Sequence, residues 1–166
     1  MMIRKLLSNL FLITAFITLF GCAASGDYDD ETINYTAAEL YQEAKSKLNN
    51  GNYESAIQLY EKLESRFPYG QFAQKAQIEV AYAYHKYQEP DSAILAADRF
   101  IKLHPQHPNV DYAYYLKGLA RFNSEKSFMD RWFDQDISER DPQQARKAFE
   151  YFSELVNKFP KSRYTP

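Results

Sequence analysis

Small residues and prolines recur at a fixed interval along this 166-residue chain, and the repeat limits the possible folds more than any other feature. Ala44, Ala81 and Gly118 lie 37 residues apart. The same step separates two further pairs: Ala56 and Ala93, and Pro68 and Pro105. Self-similarity over about 20–50 residues is typical of stacked units, because one unit cannot bury its apolar face alone. The sequence therefore predicts an array of helical hairpins.

The first unit resembles the tetratricopeptide repeat, which has a period of about 34 residues. The matching residues are Ala44, Gly51, Tyr53, Ala56, Tyr60 and Pro68. The resemblance implies an all-α, tetratricopeptide-type helical-hairpin solenoid of about three repeats. The predicted repeats cover 37–68, 74–105 and 109–160, within a domain of 37–166. An unrelated helical bundle is the alternative, but it does not explain the two later copies.

Turn residues predict where the helices of each hairpin end. Asn50-Gly51-Asn52 should close the first helix and open the second, since Gly adopts left-handed φ and Asn caps helices. Pro68 cannot continue a helix and marks a stop. In the second unit Glu89-Pro90-Asp91 replaces this turn, with Pro90 in the first helical turn and Asp91 as the cap.

The third unit differs from the others by an insertion. Ala148 and Pro160 keep the 12-residue spacing of the earlier units, but Gly118 and Ala148 are 30 residues apart. Residues 124–141 are therefore inserted between its helices. A loop this apolar is predicted to fold down or to face a partner. Its apolar residues are Phe128, Met129, Trp132, Phe133 and Ile137. Its acidic residues lack the spacing of a calcium loop.

The second helix of the third unit carries apolar residues at helical spacing. These are Ala145, Ala148, Phe149, Phe152, Leu155, Val156 and Phe159. Part of this face packs on its own hairpin, and the rest normally receives a further repeat. Solenoid ends need a polar cap. The sequence therefore predicts a chain that is marginally stable by itself and prone to self-association.

The N-terminus is a separate segment. Arg4 and Lys5 precede an apolar run over 6–20, as in a signal peptide, and the run is too short for a comfortable membrane span. Leu19-Phe20-Gly21-Cys22 resembles a bacterial lipobox. We predict a lipoprotein signal peptide over 1–21, lipidation of Cys22 and a flexible acidic tether over 22–36. An ordinary secretory signal with an incidental Cys22 is the alternative.

Composition and motifs argue against several classes of function. The net charge is −2, so no basic excess exists to attract nucleic acid. The sequence shows no nucleophile–base pair, no glycine-rich phosphate loop and no cluster of metal ligands. His104 and His107 are interrupted by proline and lack a third ligand, so we predict a corner between helices there. We expect neither enzymatic activity nor a cofactor or metal.

Three segments make the chain similar to the BamD family, the tetratricopeptide lipoproteins of the outer-membrane β-barrel assembly machine. They are RFPYG at 66–70, RFIKL at 99–103 with HPN at 107–109, and RDPQQAR at 140–146. The family has a Gly after the aromatic pair of the inserted loop, where this chain has Asp134. Family members also continue for about two further repeats beyond the position of Pro166.

The resemblance implies a lipid-anchored scaffold on the periplasmic face of the outer membrane of a Gram-negative bacterium. Such a protein receives unfolded outer-membrane proteins and passes them to the barrel insertase. The implied partners are the periplasmic domains of the insertase, accessory lipoproteins and the unfolded substrates. A generic periplasmic tetratricopeptide lipoprotein that scaffolds pilus or cell-wall assembly is the alternative, although it has no reason to share the 140–146 segment.

In tetratricopeptide arrays the first helices of the hairpins line a concave, ligand-binding face. Fifteen positions transferred to this sequence hold three Lys and no acid. The candidate peptide-binding residues are Tyr41, Lys45, Ile78, Tyr82, Lys86, Tyr115 and Phe122. Aromatic rings beside ammonium groups suit an extended peptide with an aromatic residue and a terminal carboxylate. The alternative is that the tyrosines only pack between hairpins. Candidate partner contacts are Phe67, Tyr69, Gly70, Trp132 and Phe133.

The first prediction concerns the anchor. Replacing Cys22 by Ser should release the protein from the membrane fraction and remove the mass of the lipid, because several acyl chains together hold a protein stably on a bilayer. Fractionation and intact-mass measurement test this. A Cys22→Ser protein that stays membrane-bound at unchanged mass would contradict it.

Overall fold

The computed structural model of the protein describes residues 31–123 and 142–165. Within them lie six α-helices and no strand: α1 (Ala37–Asn49), α2 (Tyr53–Arg66), α3 (Gln71–Lys86), α4 (Pro90–Leu103), α5 (Val110–Asn123) and α6 (Pro142–Lys158). We call α1, α3 and α5 the A helices of successive hairpins, and α2, α4 and α6 the B helices. All six helices belong to the unit Asn34–Pro166. The predicted all-α class is confirmed.

The first hairpin begins and turns through short-range hydrogen bonds. Thr36 Oγ1 accepts a bond from the Glu39 N–H (3.3 Å), and the Thr36 N–H donates to Glu39 Oε2 (2.8 Å). This capping box satisfies two backbone groups at the start of α1. After α1, Gly51 turns the chain with a φ of 78°. Asn52 then caps α2 by accepting a bond from the Ser55 N–H. The predicted Asn-Gly-Asn turn is confirmed.

The start of α4 differs from the predicted arrangement. Pro90 lies in the first turn as expected, but the N-cap residue is Glu89 and not Asp91. The Glu89 carboxylate accepts a bond from Ser92 Oγ (2.8 Å) and makes no side-chain cap. Asp91 instead forms an ion pair with Arg121 of α5 at 2.8 Å. The assignment of Asp91 as a cap was therefore wrong, because a contact between hairpins uses its carboxylate.

Small residues allow the helices to pack closely. Consecutive helices contact each other, and each A helix also contacts the next A helix. Ala44 and Ala81, at equivalent places in α1 and α3, are both 0% exposed. At the same place in α5, a Cβ on Gly118 would lie 2.5 Å from the Phe152 ring of α6. The last hairpin thus has less room at this contact than an alanine needs.

Charged side chains connect the third hairpin to the second hairpin and connect its own two helices. Lys117 of α5 is 7% exposed, and its ammonium lies 2.7 Å from Asp98 of α4 and 3.9 Å from Glu154 of α6. The same ammonium lies 4.5 Å from the ring centroid of Tyr151 in α6. A buried ammonium needs such partners, because removal from water is costly. Lys117 therefore links three helices.

The segment between α4 and α5 is an aromatic corner. The Phe100 ring lies 5.2 Å from the His104 ring and 5.1 Å from the His107 ring, measured between centroids. His104 Nε2 is 2.6 Å from Gln77 Oε1 of α3, and His107 Nδ1 accepts a bond from the Asn109 N–H (3.1 Å). These contacts give both histidines a structural role at the predicted corner.

The buried carboxyl group of Glu64 in α2 should make the stability of the folded protein depend on pH. One of its carboxylate oxygens is buried and has no hydrogen-bond partner among the described residues, although the other lies 3.3 Å from Arg99. Burial raises the pKa of the Glu64 carboxyl above its usual range, and the opposing effect of Arg99 is smaller. The folded state therefore binds this proton more tightly than the unfolded state. The resulting stabilisation is present at low pH and is lost as pH rises through the folded pKa.

The variant Glu64→Gln fixes the neutral form. Relative to the parent, its free energy of unfolding should increase between about pH 5 and pH 8, by roughly 1 kcal/mol, since a partly buried carboxylate with an unpaired oxygen is disfavoured. Glu54→Gln, at an exposed position of the same helix, is the control and should follow the parent. Chemical unfolding at several pH values measures both. A difference that shrinks as pH rises would contradict this account.

Candidate peptide-binding surface

The predicted peptide-binding residues lie on the A helices, but they are not equally accessible. Tyr41 and Tyr82 are partly exposed, whereas Phe122 of α5 is 53% exposed. Ile78 is 6% exposed and belongs to the hydrophobic core, so it offers a ligand little contact area. We call the surface formed by α1, α3 and α5 the A-helix surface.

At its start the A-helix surface carries two aromatic rings and an ammonium group, and a third ring, that of Tyr60 in α2, is buried beneath it. The Tyr41 ring of α1 lies 6.1 Å from the Tyr60 ring and 5.7 Å from the Phe72 ring of α3. Lys75 Nζ lies 5.9 Å from the Tyr41 centroid and 5.8 Å from the Phe72 centroid. Aromatic faces attract cations at this range. The arrangement offers apolar area next to a positive charge.

A carboxylate that the sequence analysis missed lies in this region. Lys45 Nζ is 2.7 Å from both carboxylate oxygens of Glu79 in α3, and the Tyr60 hydroxyl donates to Glu79 at 3.5 Å. Burial and the Glu79 charge raise the pKa values of Tyr41 and Tyr60. The positive charge of Lys45 is therefore already matched by a carboxylate.

The signal that could have revealed Glu79 is its spacing from Lys45. The two residues are 34 apart, which is about one helical turn less than the 37-residue step of the repeat. Since neighbouring A helices lie side by side, a residue meets a position near its own equivalent in the next repeat. A comparison of equivalent positions in the repeats therefore does not pair Lys45 with Glu79.

In the second hairpin the surface continues with Tyr82, His85 and Lys86. The rings of Tyr82 and His85 are 6.4 Å apart, and Lys86 Nζ lies 5.9 Å from the centroid of Tyr53. Burial and neighbouring groups, first among them Tyr82, raise the pKa of Tyr112 in α5. In the third hairpin the rings of Tyr112 and Tyr115 are stacked with 6.3 Å between their centroids, so α5 also contributes aromatic groups.

In the third hairpin Tyr115 is partly covered by a residue that sequence reasoning also missed. The Tyr164 ring stacks on Tyr115 at 4.9 Å and lies 5.2 Å from Tyr112. Ser162 Oγ donates to Asp111 of α5 (2.7 Å), which holds the segment after α6 against the A helix. Tyr164 follows the last predicted helix, so helical periodicity carried no information about it.

The candidate partner contacts divide into three groups. Tyr69 is 90% exposed, and Gly70, with a φ of 100°, has open space around its Cα. Phe67 is half-buried, with the guanidinium of Arg66 lying 5.3 Å from its ring centroid. Trp132 and Phe133 lie outside the described residues, as does Cys22. Among the predicted contacts at 67–70, Tyr69 has the large exposed side chain.

Neither metal ligation nor membrane spanning is indicated by the described residues. Over 31–123 and 142–165, no three His, Cys, Asp or Glu side chains converge on a position that could hold a metal ion. No helix in those ranges is long and apolar enough to cross a membrane.

Repeated helical hairpins with small residues at their contacts define the class of helical-repeat proteins. Residues 28–166 match the sequence model of the tetratricopeptide repeat family. The chain belongs to this family, and the predicted tetratricopeptide-type fold is confirmed.

Particular relatives narrow the comparison. The outer membrane protein assembly factor BamD of Neisseria meningitidis serogroup B is 47% identical over 158 residues, which cover 93% of this chain and 59% of the relative. BamD of Vibrio cholerae serotype O1 is 32% identical over 152 residues, 92% of this chain and 62% of the relative. BamD of Haemophilus influenzae is 30% identical over 162 residues, which cover 98% of this chain and 60% of the relative. The resemblance to BamD proteins is confirmed, and the chain spans about three fifths of their length.

The contact between Lys45 and Glu79 generates the third prediction. Lys45→Met should lower the free energy of unfolding by roughly 1–2 kcal/mol, because it leaves a partly buried carboxylate without its cation. A double-mutant cycle with Glu79→Gln should give a coupling of about 1 kcal/mol.

The exposed pair Lys47 and Glu43 on α1 provides the matched control. It is an i,i+4 pair with a 3.1 Å contact, and its coupling should be at most about 0.5 kcal/mol. Equal couplings for the two pairs would mean that Glu79 does not anchor the junction of the first two hairpins.

Proposed function

We propose that this protein is a lipid-anchored scaffold on the periplasmic face of the outer membrane that receives unfolded outer-membrane proteins for assembly. Its partners are the other subunits of a β-barrel assembly machine, namely the periplasmic domains of the insertase and accessory lipoproteins. The observation that carries the proposal is the aromatic and cationic A-helix surface. The relatives are named outer membrane protein assembly factors, and this name supplies the process for the proposal.

The chemistry of the surface favours an extended peptide with an aromatic residue and a terminal carboxylate. Tyr41 and Phe72 provide ring faces on which an aromatic side chain can pack, with Lys75 beside both. A carboxylate would be bound by Lys75 or Lys86 rather than by Lys45, whose ammonium contacts Glu79. The C-terminal strand of an unfolded β-barrel protein has this character.

The role is binding and not catalysis. A scaffold needs complementary surfaces and no reacting groups, and the features of the A-helix surface suit ligand recognition. The generic alternative, a scaffold for pilus or cell-wall assembly, gives no reason for preferring a C-terminal aromatic residue. A preference for that terminus therefore separates the two functions.

The fourth prediction is that a short peptide ending in Phe binds the chain with a micromolar dissociation constant, roughly 10 µM, since an unfolded segment must be ordered on binding. Lys75→Glu, Lys86→Glu and Tyr82→Ala should each weaken binding about tenfold, which corresponds to roughly 1.4 kcal/mol. Isothermal titration calorimetry measures these changes.

Two controls accompany this experiment. Lys102→Glu makes the same charge change at an exposed position of α4, a B helix, and should leave binding unchanged. Amidation of the peptide terminus should weaken binding if a lysine binds the carboxylate. Equal binding by the amidated peptide, or by all three surface variants, would contradict the proposal.

A further inference from the structure

Two lysines of α3, Lys75 and Lys86, are exposed, and each holds its ammonium group beside an aromatic ring. Lys75 Nζ lies 5.8 Å from the centroid of Phe72, and Lys86 Nζ lies 5.9 Å from that of Tyr53. Within the part of the chain that the structure describes, neither lysine forms an ion pair, in contrast to Lys45. Both charges are therefore available to a ligand.

The helix fixes the separation of these two lysines. They are 11 residues apart, which is about three turns and leaves them rotated by only about 20° around the axis. At about 1.5 Å of rise per residue, their Cα atoms are about 16.5 Å apart along the axis. Tyr82 lies between them on the same side of α3, four residues before Lys86. A ligand that reaches both ammonium groups must therefore run along α3.

The charge along this path is positive. Glu79 is the only acid of α3, and both of its carboxylate oxygens lie 2.7 Å from Lys45 Nζ. Burial and then the charge of Lys86 lower the pKa of His85, so its ring is neutral at pH 7. The four charged groups are Lys45, Lys75, Glu79 and Lys86, and their net charge is 3 − 1 = +2. A ligand with two negative charges complements this surface.

The two lysines differ in the aromatic area beside them. Lys75 Nζ lies within 5.9 Å of the centroids of both Tyr41 and Phe72, and these two rings are 5.7 Å apart. The ring contact of Lys86 is with Tyr53. A terminal aromatic residue needs ring faces and a cation at one place. Its carboxylate therefore suits Lys75, and Lys86 suits a carboxylate on a side chain.

We infer that the bound peptide runs along α3, with its terminal carboxylate at Lys75 and an acidic side chain, four residues before the terminal residue, at Lys86. An extended chain rises about 3.3 Å per residue, so four residues span about 13 Å, and the two carboxylates extend that reach toward the lysine separation. Alternate side chains point to opposite faces, so an even interval places the acid on the same face as the terminal ring. This inference rests on the proposed function and adds a second recognition element to the ligand.

Peptides of about eight residues that end in Phe test the spacing. Each carries one Glu, placed three, four or five residues before the Phe, and a matched peptide carries Gln at the same place. Calorimetric titration of the full chain should show about threefold tighter binding for Glu than for Gln at the four-residue interval, as expected for an exposed ion pair. At intervals of three and five the side chain points away from α3, so the ratio should be close to one.

Lysine variants assign each carboxylate to its partner. In Lys86→Gln the advantage of Glu at the four-residue interval should disappear, while amidation of the peptide terminus should still weaken binding. In Lys75→Gln the advantage of Glu should remain, and amidation should have no effect. Lys102→Gln, at an exposed position of α4, is the control and should retain both effects.

A Glu-to-Gln ratio of one at the four-residue interval in the parent, or a ratio that survives Lys86→Gln, would overturn the inference. An exchange of the two effects between the lysine variants would also overturn it, because the peptide would then run in the opposite direction. If binding of the Phe-terminated peptide is still weakened by amidation in these cases, the proposed function stands. Failure of every peptide to bind would overturn the proposed function together with the inference.

Discussion

The close approach of helices at one small residue per hairpin is the constraint on which the rest of the structure depends. Ala44 and Ala81 are fully buried, and Gly118 leaves no room for a methyl group against Phe152. Three residues before each lie Tyr41, Ile78 and Tyr115, one helical turn away. The register that places the small residue in the core therefore also places Tyr41 and Tyr115, both partly exposed, at the A-helix surface, whereas Ile78 remains in the core. Core packing and the candidate site follow from one periodicity.

Charge is distributed on this framework by contacts between repeats. Lys45 and Glu79 join the first two hairpins beside the aromatic cluster, and Asp98 and Lys117 join the last two. A partly buried ion pair adds less to stability than to the definition of one geometry, because desolvation offsets much of the attraction. The first pair also neutralises one lysine of the surface, which is why the proposed binding of a ligand carboxylate is assigned to Lys75 or Lys86.

The sequence predicted the features that depend on a single helix or turn. The 37-residue step, the Asn-Gly-Asn turn and the apolar outer face of the last helix all follow from local spacing and agree with the structure. Features that depend on two repeats could not be derived in this way. Asp91 forms an ion pair with Arg121 and does not cap its own helix, and Glu79 forms an ion pair with Lys45. Ile78 is buried, although Tyr41 at the equivalent position is partly exposed. A periodic pattern predicts the helix face on which a residue lies, but it does not predict which side chain of the neighbouring repeat contacts that residue.

The third hairpin has a longer connection between its two helices than the other hairpins, and polar contacts join α5 to α6. Three residues link α1 to α2 and α3 to α4, whereas residues 124–141 link α5 to α6. A link six times longer raises the entropic cost of bringing two helices together by about 1.5 kcal/mol, at roughly 0.6 kcal/mol per doubling. Lys117 and Arg121 of α5 contact Glu154 and Gln144 of α6, and Gly118 lies against the Phe152 ring. With α6 in this rotation about its axis, Ala148 and Leu155 are buried against α5, and Phe149 and Val156 lie on the exposed side of the helix.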